Sequence, residues 1–266
     1  MATINYTLQK ISGDLFIKYK SKEREYIDEK IANFHKTLKA YFTSSISGTL
    51  VFGSYKRDTI LPRKFDEKSD IDVLVIFNQF QKEYSPETYR NKLKKFATVK
   101  YPRTPVLKDH PSIVLELSSI KFDLVPCRIC EGIWSNYYQI PSKNGDWMDT
   151  YPKEFNKKLT NTNNKYNSIV KPVIRLIKRW NAYNNYPYAS YDLEQIIAGM
   201  DFSNDNFQTG FLYAIDKLAT VNLSEQAKKK VITLQNNKDW IVEYLKRDNQ
   251  QKAIEVVYRI LGLILK

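Results

Sequence analysis

Ser69-Asp70-Ile71-Asp72-Val73-Leu74-Val75-Ile76-Phe77 places two carboxylates, two residues apart, at the head of an almost unbroken apolar run. Rich in Val and Ile, the run reads as a β-strand covered on both faces. Side chains alternate along a strand, so Asp70 and Asp72 point to one face. Aspartate at a strand end also serves turns and caps, and the pair alone decides little. Its neighbours decide more.

Upstream, Thr49 to Phe52 is a short β-branched and aromatic run ending at Gly53-Ser54. Downstream, Ile113 to Leu117 and Ile120 to Val125 read as two strands, with Ser118 and Ser119 leaving room for a tight hairpin. The second of these carries Asp123 within Lys121-Phe122-Asp123-Leu124-Val125. Three acids at the mouth of an apolar sheet repel one another, and burial aggravates the repulsion. Hard divalent cations such as Mg²⁺ or Mn²⁺ relieve it through oxygen ligation. Two such ions, about 3.5–4 Å apart, clamp the attacking and leaving oxygens of an in-line phosphoryl displacement. Glycine lets backbone approach a ligand closely, and a Gly53-Ser54 turn opening into a helix would aim N–H groups and a hydroxyl at phosphate. Lys56 and Arg57 add positive charge nearby.

Elsewhere the periods are mostly helical. Ile27, Ile31, Phe34, Leu38 and Tyr41 recur at steps of three and four, one stripe of a helix from Ser21 to Tyr41. His35 borders that stripe and reads as a packed side chain. Pro86 opens a helix that runs through Leu93 and Phe96 until Pro102 stops it. Pro141 to Asp149 and the polar Thr160 to Asn167 read as loops. Val170, Val173, Ile174, Ile177 and Trp180 form a core stripe, with Lys171, Arg175 and Lys178 on another face. Further helices are expected over Leu193 to Met200, Thr209 to Leu218, Ser224 to Leu234 and Asn249 to Leu265. No internal repeat is visible.

Composition narrows the function classes. Lys and Arg total 42 against 29 Asp and Glu, a net charge of +13 that attracts nucleoside triphosphates or nucleic acid. Cys127 and Cys130 form a C-x-x-C, but a structural zinc needs four ligands and the chain adds only His35 and His110. The motif follows a strand instead of opening a βαβ helix, which leaves a thioredoxin-like role unsupported; the thiols read as structural. Met1 to Lys10 has no apolar run, so no secretory signal is read. Ala253 to Leu265 is too short to span a bilayer and is interrupted by Glu255 and Arg259. The chain is expected to be cytoplasmic, with no membrane partner.

Phe52-Gly53-Ser54-Tyr55-Lys56-Arg57-Asp58-Thr59, then Ser69 to Val75, then Asp123, resembles the polymerase-β-type nucleotidyltransferase superfamily. Within it the chain is most similar to bacterial cyclic-oligonucleotide synthases, the CD-NTases, relatives of cyclic GMP–AMP synthase and oligoadenylate synthetase. Lys171 to Asn181 followed by Ser190-Tyr191 is similar to the helical part of those enzymes. The likeness covers most of residues 45–200. It departs from the family in a longer segment between Ser54 and Asp70, where Leu61 to Ser69 forms an extra loop and Asp66 and Glu67 offer alternative carboxylates.

The resemblance implies a bilobed α+β fold with the active site between its two parts. A nucleotidyltransferase sheet with an N-terminal helix would span residues 1–155 and a C-terminal helical bundle 156–266. Gly53 and Ser54 would hold a triphosphate. Asp70, Asp72 and Asp123 would bind two Mg²⁺ or Mn²⁺ ions, with Asp123 near the attacking hydroxyl. Lys178 would contact the phosphate tail, Ser190 would hydrogen-bond it, and Tyr191 would stack on the base. The implied activity condenses triphosphates (ATP, GTP or others) into a cyclic di- or oligonucleotide with release of pyrophosphate. That product would activate an effector in antiphage (CBASS-type) defence, and nucleic acid is compatible but not required. The rivals are an RNA-tailing nucleotidyltransferase and an inactive binding protein or antitoxin on the same fold. Retention of Gly53, Ser54 and all three acids argues against the inactive one.

Overall fold

In a computed structural model of the chain, residues 3–78, 84–109, 111–117, 120–132 and 137–265 are described. His110 and the Ser118-Ser119 hairpin lie outside them. In chain order the elements are α1 (Ile4–Asp14), α2 (Lys22–Phe42), β1 (Ile46–Val51), α3 (Gly53–Lys56), β2 (Ile71–Phe77) and α4 (Pro86–Lys100). Next come β3 (Val106–Asp109), β4 (Ser112–Leu117), β5 (Ile120–Cys130), β6 (Tyr137–Pro141) and β7 (Trp147–Thr150). The rest is helical: α5 (Pro152–Lys165), α6 (Val170–Tyr183), α7 (Ser190–Ala198), α8 (Phe207–Lys217), α9 (Glu225–Lys246) and α10 (Gln250–Leu261).

These elements form two compact units that do not follow a single cut near residue 155. A sheet unit comprises residues 18–57 and 68–157; a helical unit comprises 1–17, 58–67 and 158–266. Helix α1, absent from the sequence reading, belongs to the helical unit. Thr3 caps it by accepting from the Tyr6 N–H, and Ile4, Leu8 and Ile11 bury its inner stripe.

In the sheet unit the strand order is β1-β2-β5-β4-β3, with β6 and β7 extending from the far end of β5. The β2–β5 pair is parallel and its neighbours β1–β2 and β4–β5 are antiparallel. One face buries Ile71, Val73, Val75, Phe122 and Leu124, the alternate positions of the two central strands. There Phe122 stacks on Phe34 of α2, ring centroids 4.3 Å apart, and Phe96 of α4 meets Phe34 edge-on at 5.9 Å. The opposite face carries a smaller cluster of Leu74, Ile76, Val125 and Cys127, with Tyr138 and Ile140 of β6 packed on it. The C-x-x-C therefore lies inside β5 and not after it. Burial, with a smaller contribution from Cys130, pushes the Cys127 thiol up to about 12, and both cysteines are free thiols.

Two segments expected as loops are ordered. Pro141 to Asp149 is mostly the turn of the β6–β7 ribbon, with Gly145 at φ +89, and Trp147 is seated under the Arg128 guanidinium. Thr160 to Asn167 largely continues α5, whose polar sequence buries only Leu159 and Asn163. The Asn163 amide oxygen accepts from the Lys171 backbone N–H, a contact that no local pattern reveals.

The helical unit is built around α6, with α1, α7, α8 and α10 against it. Val173, Ile174, Ile177 and Trp180 are buried as expected. The basic residues of α6 also point inward: Lys171 ion-pairs with Asp58 at 3.1 Å, and Arg175 donates to the Asp58 carbonyl at 2.9 Å. Arg179 donates to the carbonyls of Phe65 and Gly262. The segment from Asp58 through the extra loop is thus a strap that α6 binds at the Asp58 side chain and carbonyl and at the Phe65 carbonyl. Asp66, offered as an alternative acid, is buried in this unit and accepts from the Tyr186 hydroxyl. Helix α10 stops at Leu261, short of Leu265, because Gly262 adopts the left-handed conformation and packs against the Tyr183 ring.

The aromatic stack makes a testable claim about the sheet unit. Phe34→Ala should lower unfolding free energy by about 3–5 kcal/mol in chemical denaturation. A loss below about 1 kcal/mol would show that Phe122 does not depend on the α2 ring.

Candidate active site

Asp72 and Asp123 are direct partners in the parallel β2–β5 ladder. Adjacent strands lie about 4.8 Å apart, so the register alone brings two carboxylates side by side. Asp70 stands just before β2, on the Asp72 face by alternation. It joins the other acids through a residue the sequence reading did not single out. Lys121 Nζ donates to Asp70 Oδ2 at 3.4 Å and lies 3.6 Å from Asp123 Oδ1. Burial works against the Lys121 charge, but Asp123 and Asp70 outweigh it and hold its pKa above the usual lysine range. A second missed partner is Ser112 of β4, whose hydroxyl donates to Asp123 Oδ2 at 3.3 Å. Its signal was available: Ser112 is a polar residue at the head of the apolar run Ile113-Val114-Leu115.

Gly53 and Ser54 begin the single turn α3 directly after β1. The turn is pinned to the acid strand by the Phe52 N–H, which donates to the Asp72 carbonyl at 3.0 Å. Gly53 has φ +70, and a Cβ at that position would stand 1.7 Å from Asp72 Oδ2. Glycine is therefore required twice, for the backbone conformation and for the approach to the carboxylate. Tyr55, the next buried residue, anchors the turn by donating its hydroxyl to Asp28 of α2 at 2.7 Å.

The acids fit a divalent cation in chemistry. Asp123 Oδ1 is buried, with the Lys121 ammonium 3.6 Å away, and the Gly53 turn keeps the space beside Asp72 clear of a side chain. All the donors are hard carboxylate oxygens, the kind Mg²⁺ and Mn²⁺ prefer. Among the described residues no three acidic, thiol or imidazole groups already form a metal cage.

The other three expected site residues belong to the helical unit. Ser190 is the first residue of α7 and Tyr191 the second. Tyr191 is 48% exposed, and its hydroxyl accepts from the Gln195 amide at 2.9 Å, so it is no core aromatic. Lys178, expected at a phosphate tail, is buried, with its ammonium 3.0 Å from the equally buried Glu194 of α7. Buried charges persist only when paired, so this ion pair clasps α6 to α7 beneath Ser190 and Tyr191.

Residues 1–163 match the Second Messenger Oligonucleotide or Dinucleotide Synthetase domain. The chain belongs to that family. It is 26% identical over 222 residues to a probable cyclic nucleotide synthase of Bacillus cereus strain VD146, covering 69% of this chain. The chain spans 64% of that relative's length. In fold it is similar to the CD-NTase CdnG of Bradyrhizobium diazoefficiens in complex with GTP, with TM-score 0.70, 13% identity and 97% of each chain covered. CdnC of E. coli MS115-1 with ATP gives TM-score 0.66 at 15% identity over 96% of this chain and 95% of that one. These likenesses confirm the α+β nucleotidyltransferase fold expected from the sequence. No described helix is long and apolar enough to cross a membrane.

The Gly53 turn yields a prediction independent of activity. Gly53→Ala must both strain a left-handed residue, at about 1–2 kcal/mol, and push Asp72 aside. Its melting temperature should fall by several degrees relative to the parent and to Ser54→Ala. Equal melting temperatures for all three proteins would show that backbone and carboxylate do not hold this close approach.

Proposed function

We propose that this chain is a template-independent nucleotidyltransferase that condenses nucleoside triphosphates into a cyclic di- or oligonucleotide and releases pyrophosphate. The observation that carries the reading is the pairing of Asp72 with Asp123 beside the glycine turn. Family membership supports it, as does the bound GTP or ATP named for the structural relatives. A role in antiphage defence, acting through an effector that reads the product, follows from the same family reading.

In this proposal Gly53 and Ser54 present backbone N–H groups and a hydroxyl to the triphosphate of the donor nucleotide. Asp70, Asp72 and Asp123 hold two Mg²⁺ or Mn²⁺ ions, which when bound neutralise the charge that builds on the phosphoryl group and on departing pyrophosphate. Asp123 accepts the proton of the ribose hydroxyl that attacks the α-phosphorus. The new bond is ribose O–P, and the broken one joins the α-phosphorus to the pyrophosphate oxygen. Tyr191 stacks on a base and Ser190 hydrogen-bonds its phosphates. Lys178 acts through Glu194, holding α7 so that both residues keep their orientation.

The direct test is incubation with all four labelled triphosphates and Mg²⁺ or Mn²⁺, without primer. A small phosphatase-resistant product, identified by mass spectrometry, is expected, together with no extension of an RNA primer. Asp70→Asn combined with Asp72→Asn should abolish that product while remaining folded, because amides supply no anionic oxygen. Primer extension with no primer-free product would make the chain an RNA-tailing enzyme instead. A folded, fully active double mutant would remove the acids from the site.

Tyr191 provides a second test of this reading. Base stacking on an aromatic is worth about 1–3 kcal/mol, so Tyr191→Ala should weaken triphosphate affinity by roughly one to two decades. Tyr191→Phe should lose little. Because the ring is half exposed, the melting temperature of the alanine variant should stay close to that of the parent. Normal affinity in Tyr191→Ala would take this ring away from the base.

A further inference from the structure

Lys121 contacts two of the candidate metal ligands, and the mechanism above gives it no task. It sits two residues before Asp123 on β5, so alternation turns both side chains to the same face. Its ammonium lies between Asp70 and Asp123, 3.4 Å from one and 3.6 Å from the other. The lysine side chain is only 19% exposed and the Asp123 side chain 14%. Partial burial lowers screening and makes each of these pairs matter more than a surface ion pair.

A single ammonium quiets the repulsion between the carboxylates that flank it, but it cannot ligate as a metal does. It offers one positive charge and three N–H donors on a flexible stem. A divalent cation drawn to Asp70 and Asp123 meets that ammonium in its way, and the like charges repel at contact distance. The same four-carbon stem lets the ammonium swing towards water once the acids have a stronger counter-charge.

We propose that Lys121 is a tethered counter-ion of the acidic cluster, competing with divalent metal for Asp70 and Asp123, so that metal loading requires this one lysine to be displaced. The inference rests on the reading that these acids bind the metal. Lys121 is on this view a positioning residue: it keeps the metal-free acids together and raises the metal concentration at which they load.

The probe is Mn²⁺ alone, without nucleotide, measured by the paramagnetic resonance of free ion and by the Mn²⁺-dependent rise in melting temperature. Lys121→Met keeps the stem and removes the charge. It should bind Mn²⁺ about tenfold more tightly than the parent, melt lower without metal, and gain more from Mn²⁺. Lys121→Arg should stay within about threefold of the parent, since it keeps the charge. If Lys121→Met folds poorly without metal, Lys121→Gln takes its place with the same expectation. Unchanged or weaker Mn²⁺ binding in the neutral variants, with a parent that binds, overturns the role of Lys121 alone. A parent that binds no Mn²⁺, or binds it as well after Asp70→Asn with Asp72→Asn, overturns the metal site itself and this inference with it.

Discussion

The candidate site depends on one pairing, the parallel ladder that sets Asp72 beside Asp123. Parallel strands have no tight turn to fix their register, so side-chain packing must do it. Ile71 pairs with Phe122 one step earlier, and Phe122 stacks on Phe34 of α2 on the opposite face from the acids. A slip of one residue would turn Phe122 outward and bury an aspartate in an aromatic core. The hydrophobic face thus enforces the polar one. The remaining features of the site hang on this register: the Gly53 turn that meets Asp72, the Ser112 hydroxyl on Asp123, and Lys121 between the acids.

The helical unit uses charge differently. A net +13 suggests a basic exterior, but several cations of α6 are spent inside. Lys178 is paired with Glu194, Lys171 with Asp58, and Arg175 and Arg179 cap carbonyls of the strap and of neighbouring segments. Each of these groups would be costly to bury alone and is retained because a partner meets it. The field available to a polyanion comes from the other lysines and arginines. The buried Lys178–Glu194 pair clasps α6 to α7.

Legibility followed the range of the interaction. Strand β2 and the amphipathic stripes of α2, α4 and α6 were readable because periods of two and three to four survive in the sequence whatever packs against them. Helix α5 was not, since the Asn and Thr residues from Thr160 to Asn167 favour turns and loops, and only the burial of Leu159 and Asn163 and the Lys171 N–H on Asn163 tell against a loop. Strand β7 escaped for a similar reason: Trp147 to Thr150 is short and lies among turn residues, and only its partner β6 makes it a strand. Helix α1 shows a stripe in retrospect, but 11 polar-rich residues are marginal until a core accepts them.

The three acids, the Gly-Ser turn and the strand headed by Asp70 and Asp72 were determined by the sequence alone, because residue type and local alternation suffice to name them. Which aspartate faces which, where Lys121 rests, and that Lys178 meets Glu194 were decided only by the tertiary structure. Those partners lie 16 to 51 residues apart in the chain. Burial and charge balance set the choice of partner once the strands and helices have met, and no local period records it.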